Sequence, residues 1–188
     1  VKDPAAQLID PTRLVHTDPE DFLGFIQYVG TQYFGRPHYY RCDGACYLSI
    51  FDTNFFLRQL GPELATKAIA NAREWLRQED LGELHLAAID PTPEFQPLLR
   101  EIGFDSVTHY VLLPEWKGER LQDYRDMATQ RENEWVGYPE RTGLPYMPSV
   151  SPGWDANPRA VDYGKEKPGR YPWSPIITGR SPEVFENH

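Results

Sequence analysis

The chain has 188 residues, 40% of them hydrophobic, 25% charged and 13% aromatic, proportions of a globular protein with room for a sizeable core. Its 19 Lys and Arg face 28 Asp and Glu, for a net charge of -9. That balance excludes a nucleic-acid binder, which needs clustered cations to displace phosphate counterions, and it disfavours an anionic membrane surface. No run approaches the roughly 20 apolar residues of a membrane span.

The first residues, Val1-Lys2-Asp3-Pro4, carry no initiator Met and no signal-peptide core, so a preceding segment is expected. Thr17-Asp18-Pro19-Glu20 has capping-box spacing with a Pro in the first turn. Phe22, Phe25, Ile26, Val29 and Tyr33 then recur at helical spacing. Cys42 and Cys46 are too few for a disulfide scaffold, and without a second pair they make no zinc site. A turn residue plus a buried strand residue is the leading reading of the pair, and a local disulfide is the alternative.

Asp43-Gly44 marks a turn, and Ala45 to Phe51 reads as a buried strand. Gly61-Pro62-Glu63 is expected to open a second helix, with Leu64, Ala68, Ile69, Ala72, Trp75 and Leu76 inward. Leu84 to Ile89 is the next strand, and a short helix after Pro97 ends at Gly103. Ser106 to Val111 is a third strand. A long helix follows, with Leu121, Tyr124, Ala128, Arg131 and Trp135 on one side, and Tyr146 to Val150 is a fourth strand weakened by Pro148. Strand and helix alternate, as in a parallel sheet wrapped by helices. GxGxxG and GxxxxGK[ST] are both absent, which disfavours a nucleotide-binding open sheet. The expected organisation is a single domain over 1–188, part of a (β/α) barrel, with a long loop at 151–175. Ser181-Pro182-Glu183 starts a helix just before the last residue, so the chain is expected to continue.

Functional groups of such a barrel project from loops after the strands. Those loops offer Asp52 and Asn54 after the first strand, Asp90 after the second, and His109 with Tyr110 near the end of the third. After the fourth come Trp154, Asp155 and Arg159, in a loop without helical or strand period, of a length usually tied to function or disorder. Trp and Tyr offer flat apolar faces to a pyranose ring, and Asp, Asn and Arg bind hydroxyls. The competing readings are helix capping for Asp52 and Asp90, core packing for His109 and Tyr110, and an ion pair between Arg159 and Asp155.

The run Pro148-Ser149-Val150-Ser151-Pro152-Gly153-Trp154-Asp155-Ala156-Asn157-Pro158-Arg159 resembles the P-x-V-x-x-G-W-D-x-x-P-R signature of glycoside hydrolase family 99-like proteins, a family also described as WbsX-like glycosyltransferases. Pro37-His38-Tyr39-Tyr40-Arg41, Tyr47 to Asp52, Gly103 to Tyr110 and Ser181 to Phe185 match in the same order. The resemblance implies a (β/α)8 TIM-type barrel acting on glycans, only part of which lies in this chain. It carries Asp52, Tyr110, Trp154, Asp155 and Arg159 over as cleft residues; the strand-end reading adds Asn54 and His109.

In the endo-α-mannosidase relatives a glutamate pair in an Asn-Glu-Trp-type motif on a later strand does the chemistry, assisted by the sugar's 2-hydroxyl. Glu134-Trp135 comes too early and on a predicted helix, so that pair is expected beyond residue 188. Asp52 and Asp155 are the local alternative for the two carboxyl groups that glycoside cleavage uses. The expectation is a glycoside hydrolase-like protein taking an oligo- or polysaccharide, without cofactor or metal. The alternatives are a glycosyltransferase of surface polysaccharide synthesis and a non-catalytic sugar-binding module. Exposed edges of a partial barrel imply self-association or pairing with the missing remainder.

Overall fold

The computed structural model describes residues 17–161 and 170–188; the expected opening segment and part of the long loop lie outside them. Asp18, rather than Thr17, caps α1 (Pro19–Val29), its carboxylate accepting from the backbone of Glu20 and Asp21, both at 2.8 Å. Phe22, Ile26 and Val29 form the buried face of α1, which runs on as a π-helical turn over Gly30–Phe34.

The short strand β1 (Arg41–Cys42) turns at Asp43-Gly44 and pairs antiparallel with β2 (Ala45–Ile50). Cys42 and Cys46 are both free thiols, so the disulfide alternative is not realised. Beyond this hairpin the outer edge of β2 is met by Tyr40, whose carbonyl accepts from the Tyr47 N–H at 3.1 Å, and by the Tyr39 hydroxyl, which donates to the Tyr47 carbonyl at 2.7 Å.

The second helix begins earlier than Gly61-Pro62 indicates: α2 spans Thr53–Gln78, capped by Asp52 through the Phe55 N–H at 2.8 Å. Gly61 sits inside it at φ 70, ψ 159, a conformation that glycine adopts without steric cost, so the helix kinks there and resumes at Pro62. Then come β3 (Leu84–Ile89), a 3-10 turn with α3 (Leu99–Ile102), and β4 (Ser106–Thr108), shorter than expected. A short β5 (Leu121–Asp123) takes Leu121 out of the predicted third helix, leaving α4 (Tyr124–Trp135) and α5 (Tyr138–Thr142). Last are β6 (Tyr146–Met147), ending at Pro148 where the ladder loses a donor, β7 (Ile176–Thr178) and α6 (Pro182–Glu186), capped by Ser181.

The main sheet has the order β1-β2-β3-β4-β6. Its last four strands are parallel and follow chain order, with β5 passed over, and Ile50 is level with Ala88 and Ala88 with Val107. The fold is therefore mixed α/β with a curled sheet of half-barrel type, and the described residues do not close an eight-stranded barrel. Cys46, Leu84, Leu86, Ala88 and Val107 turn toward the helices, meeting Ile69, Ala72, Leu76 and Leu99 in the main core. Alternate residues face the other way. There Tyr47 stacks on His85 at 5.7 Å, and His85 Nε2 lies 2.8 Å from the Ser106 hydroxyl. A second, smaller core of Leu112, Tyr124, Ala128 and Ile177 sits under a two-stranded parallel sheet, β5 with β7. No described helix is long and apolar enough to cross a membrane.

Candidate functional site

Parallel strands bring the loops after β2, β3, β4 and β6 to one end of the sheet. Thr53, fully buried, fastens the first two: its hydroxyl donates to the Ile50 carbonyl at 3.0 Å and accepts from the Ile89 N–H at 2.9 Å. Asn54 does the same one residue on. Its amide donates to the Asp90 carbonyl at 2.9 Å and accepts from the Thr92 N–H and hydroxyl at 2.8 and 3.0 Å. This predicted ligand-binding side chain thus spends its polar groups on holding the rim together.

Asp90 stands in the left-handed region at φ 44, an uncommon conformation for a non-glycine residue. Its carboxylate accepts from the Tyr110 N–H at 3.1 Å and its own N–H donates to the Thr108 carbonyl at 3.0 Å. The loops after β3 and β4 are therefore locked to each other. Tyr110 then meets Phe51 edge to face, with centroids 4.8 Å apart. Both rings are largely open to solvent, Phe51 at 65% and Tyr110 at 47%.

The Gly153-Trp154-Asp155 corner is firmly built. Gly153 has φ 100, and a Cβ there would fall 3.1 Å from the Ile177 side chain, so the position requires glycine twice over. Trp154 is half-buried against the smaller core. Its carbonyl accepts from the Ile177 N–H at 3.3 Å, and its indole N–H is buried with no partner among the described residues.

The expected Arg159–Asp155 ion pair is not what orders this loop. Asp155 accepts from the Asn157 N–H at 2.9 Å and from its side-chain amide at 2.8 Å, an Asx turn leading into a 3-10 turn at Asn157–Ala160. Arg159 lies over the Trp154 ring at 5.5 Å and donates to the Tyr171 hydroxyl at 3.0 Å. Tyr171 foremost favours its charged form. The loop carrying this corner is tied to the one carrying Tyr110 where the Ser151 hydroxyl accepts from the Leu112 N–H at 2.8 Å.

His109 goes elsewhere. Counting from Val107 in the core, it falls on the helix side of the sheet, 3% exposed. Its ring stacks on Trp135 at 5.8 Å and on Tyr146 at 5.9 Å, with Nδ1 hydrogen-bonded to the Tyr146 hydroxyl. Burial lowers its pKa, Arg131 adds to the effect, and Asp90 and the Ser149 backbone oppose it. Burial likewise pushes the Tyr146 phenol up. The stack continues from Trp135 to His188 at 5.4 Å.

Among the predicted residues, then, Trp154 and Arg159 are in contact, and Tyr110 stands on the loop tied to theirs through Leu112 and Ser151. Asp52 caps α2 beside Phe51, Asp155 faces solvent from its turn, Asn54 braces the rim, and His109 lies beneath it. Phe51 and Tyr171 join the rim without having been singled out. The signal for Phe51 was its place at a strand tip directly before Asp52. Among the described residues no group of His, Cys, Asp and Glu is arranged to hold a metal ion.

No family model matches the chain. It is 29% identical over 161 residues to an uncharacterized protein, WxcX, of Xanthomonas campestris pv. campestris (strain ATCC 33913), covering 78% of this chain and 21% of that protein. The same protein of strain B100 matches to the same extent. The chain thus spans about a fifth of the length of these curated relatives. A solved glycoside hydrolase-like protein superposes with a TM-score of 0.46 at 23% identity, covering 80% of this chain and 42% of its own.

Proposed function

We propose that the rim binds an oligo- or polysaccharide, and that this chain is part of a family 99-like glycoside hydrolase. The observation that carries the reading is a pair of aromatic groupings on the loops after the strands, Phe51 against Tyr110 and Trp154 under an Arg159 that is bonded to Tyr171, with the loops after β4 and β6 tied by the Leu112 N–H donating to the Ser151 hydroxyl at 2.8 Å. Exposed rings supply flat faces for a pyranose, and a guanidinium held over Trp154 presents fixed donors to its hydroxyls. The ordered sequence motifs support the same reading, because Gly153, Trp154 and Arg159 of the signature build this corner. Asp52 and Asp155 both serve as local caps, so the hydrolytic carboxyl groups are proposed to lie beyond residue 188 in the complete protein.

Titration calorimetry against a panel of soluble polysaccharides tests the binding. The expected result is binding that Tyr110→Ala and Arg159→Ala each weaken while the melting temperature holds. Absence of binding across the panel sinks the proposal. For the complete protein the expected activity is glycoside hydrolysis. Tight, metal-dependent nucleotide-diphosphate binding without hydrolysis would replace it with glycosyl transfer.

A further inference from the structure

Phe51 has a second environment. Besides touching Tyr110, it walls a cavity of about 470 Å³ between α1 and the first half of α2. Phe22 and Phe56 form its floor, 6% and 4% exposed and 5.1 Å apart. Phe25 and Phe55 complete the walls, 49% and 39% exposed. The volume lies within the range of small-molecule pockets, and concave sites lined by aromatic rings with few polar groups are the usual form of such pockets.

The polar edge is acidic. Among the described residues, Asp21 and Asp52 border the cavity and no Lys, Arg or His lines it. An anionic guest is therefore repelled, and a neutral apolar one is accepted. Phe51 is the shared wall between this cavity and the rim, so a ligand whose sugar lies on Tyr110 can pass an attached group over Phe51 into it.

We infer that the cavity is a subsite for a neutral apolar aglycone, an alkyl or aryl group carried by the saccharide. The identity of the head group rests on the saccharide reading; the apolar character of the subsite does not. Each methylene buried from water tightens binding about fourfold, so the cavity makes a measurable chain-length preference.

The test is calorimetry with three probes: methyl β-glucoside, octyl β-glucoside below its micelle concentration, and octanol. Octyl glucoside is expected to bind at least about tenfold tighter than methyl glucoside. Phe25→Ser and Phe55→Ser, on different helices, each remove that advantage and leave methyl glucoside unaffected. Val161→Ser, at an exposed position elsewhere, changes nothing.

Equal binding of the methyl and octyl glucosides, or an octyl advantage that survives both phenylalanine variants, overturns the inference. So does a halved molar mass on Phe25→Ser by light scattering, which assigns the cavity to a second copy of the chain. Octanol binding that depends on Phe25 and Phe55 while the glucosides bind no better than octanol sustains the apolar subsite and defeats the saccharide reading.

Discussion

Phe51 and Tyr110 meet edge to face with their ring planes at 85° and centroids 4.8 Å apart, although 59 positions separate them in sequence. The contact joins the loops of two strands that are not neighbours in the sheet, since β3 lies between β2 and β4. Aromatic pairs of this geometry add about 0.5–1.5 kcal/mol beyond the area they bury.

Tyr110→Ala should therefore weaken saccharide binding by about tenfold. Its half-exposed ring contributes little to the core, so the thermal midpoint should barely move. Calorimetric affinity and a melting curve on the same sample separate the two effects. A large loss of stability with unchanged affinity would return Tyr110 to a packing role.

Asn54→Ala tests the brace. The substitution removes an acceptor from Thr92 and a donor from Asp90, leaving groups that must find water in a half-buried site. A stability loss of about 1–3 kcal/mol is expected, read as a lower urea midpoint at constant slope. An unchanged midpoint would show that the loops hold without it.

At Gly153 the backbone and the space agree. Gly153→Ala places a methyl against Ile177 and forces a left-handed conformation on a residue with a Cβ. The expected cost is about 1–3 kcal/mol, with a shift in tryptophan emission as Trp154 leaves the smaller core. Wild-type emission and stability would contradict it.

Acid should destabilise the protein. Burial holds the His109 pKa below its ordinary 6.5, and it acts on His188 in the same direction, with Glu132 opposing there. The unfolded chain takes up these protons as the pH falls through 6.5, before the folded chain does. The stabilisation is thus complete above that pH and is lost on acidification below it, at up to about 1.4 kcal/mol per pH unit for the buried His109. Urea unfolding at several pH values should show this slope in the wild type and a shallower one in His109→Phe. Parallel slopes would remove His109 from the explanation.

The central strands were legible because strands of a parallel sheet packed under helices read as short, largely apolar runs, as Leu84 to Ile89 does with the single exception of His85. Gly61-Pro62 was misleading for a physical reason: the pair is a good helix start, yet a glycine at positive φ also lets a helix bend and resume. Trp154 and Arg159 could be found from the loop, since no periodic element claimed them. Their arrangement could not, because Arg159 had Asp155 and Tyr171 within reach and only the folded loop chooses Tyr171. The core-packing reading of His109 follows from alternation: with Val107 facing the helices, it falls on the same side and Tyr110 on the other.

The bond from the Tyr39 hydroxyl to Tyr47 has a consequence for how the sheet terminates. A phenol gives one donor and has no next amide to offer, so it occupies the border without propagating the ladder. Burial keeps that phenol protonated, so the stopper works at any physiological pH. Where a neighbouring molecule's backbone would otherwise find a waiting carbonyl, it meets a tyrosine instead.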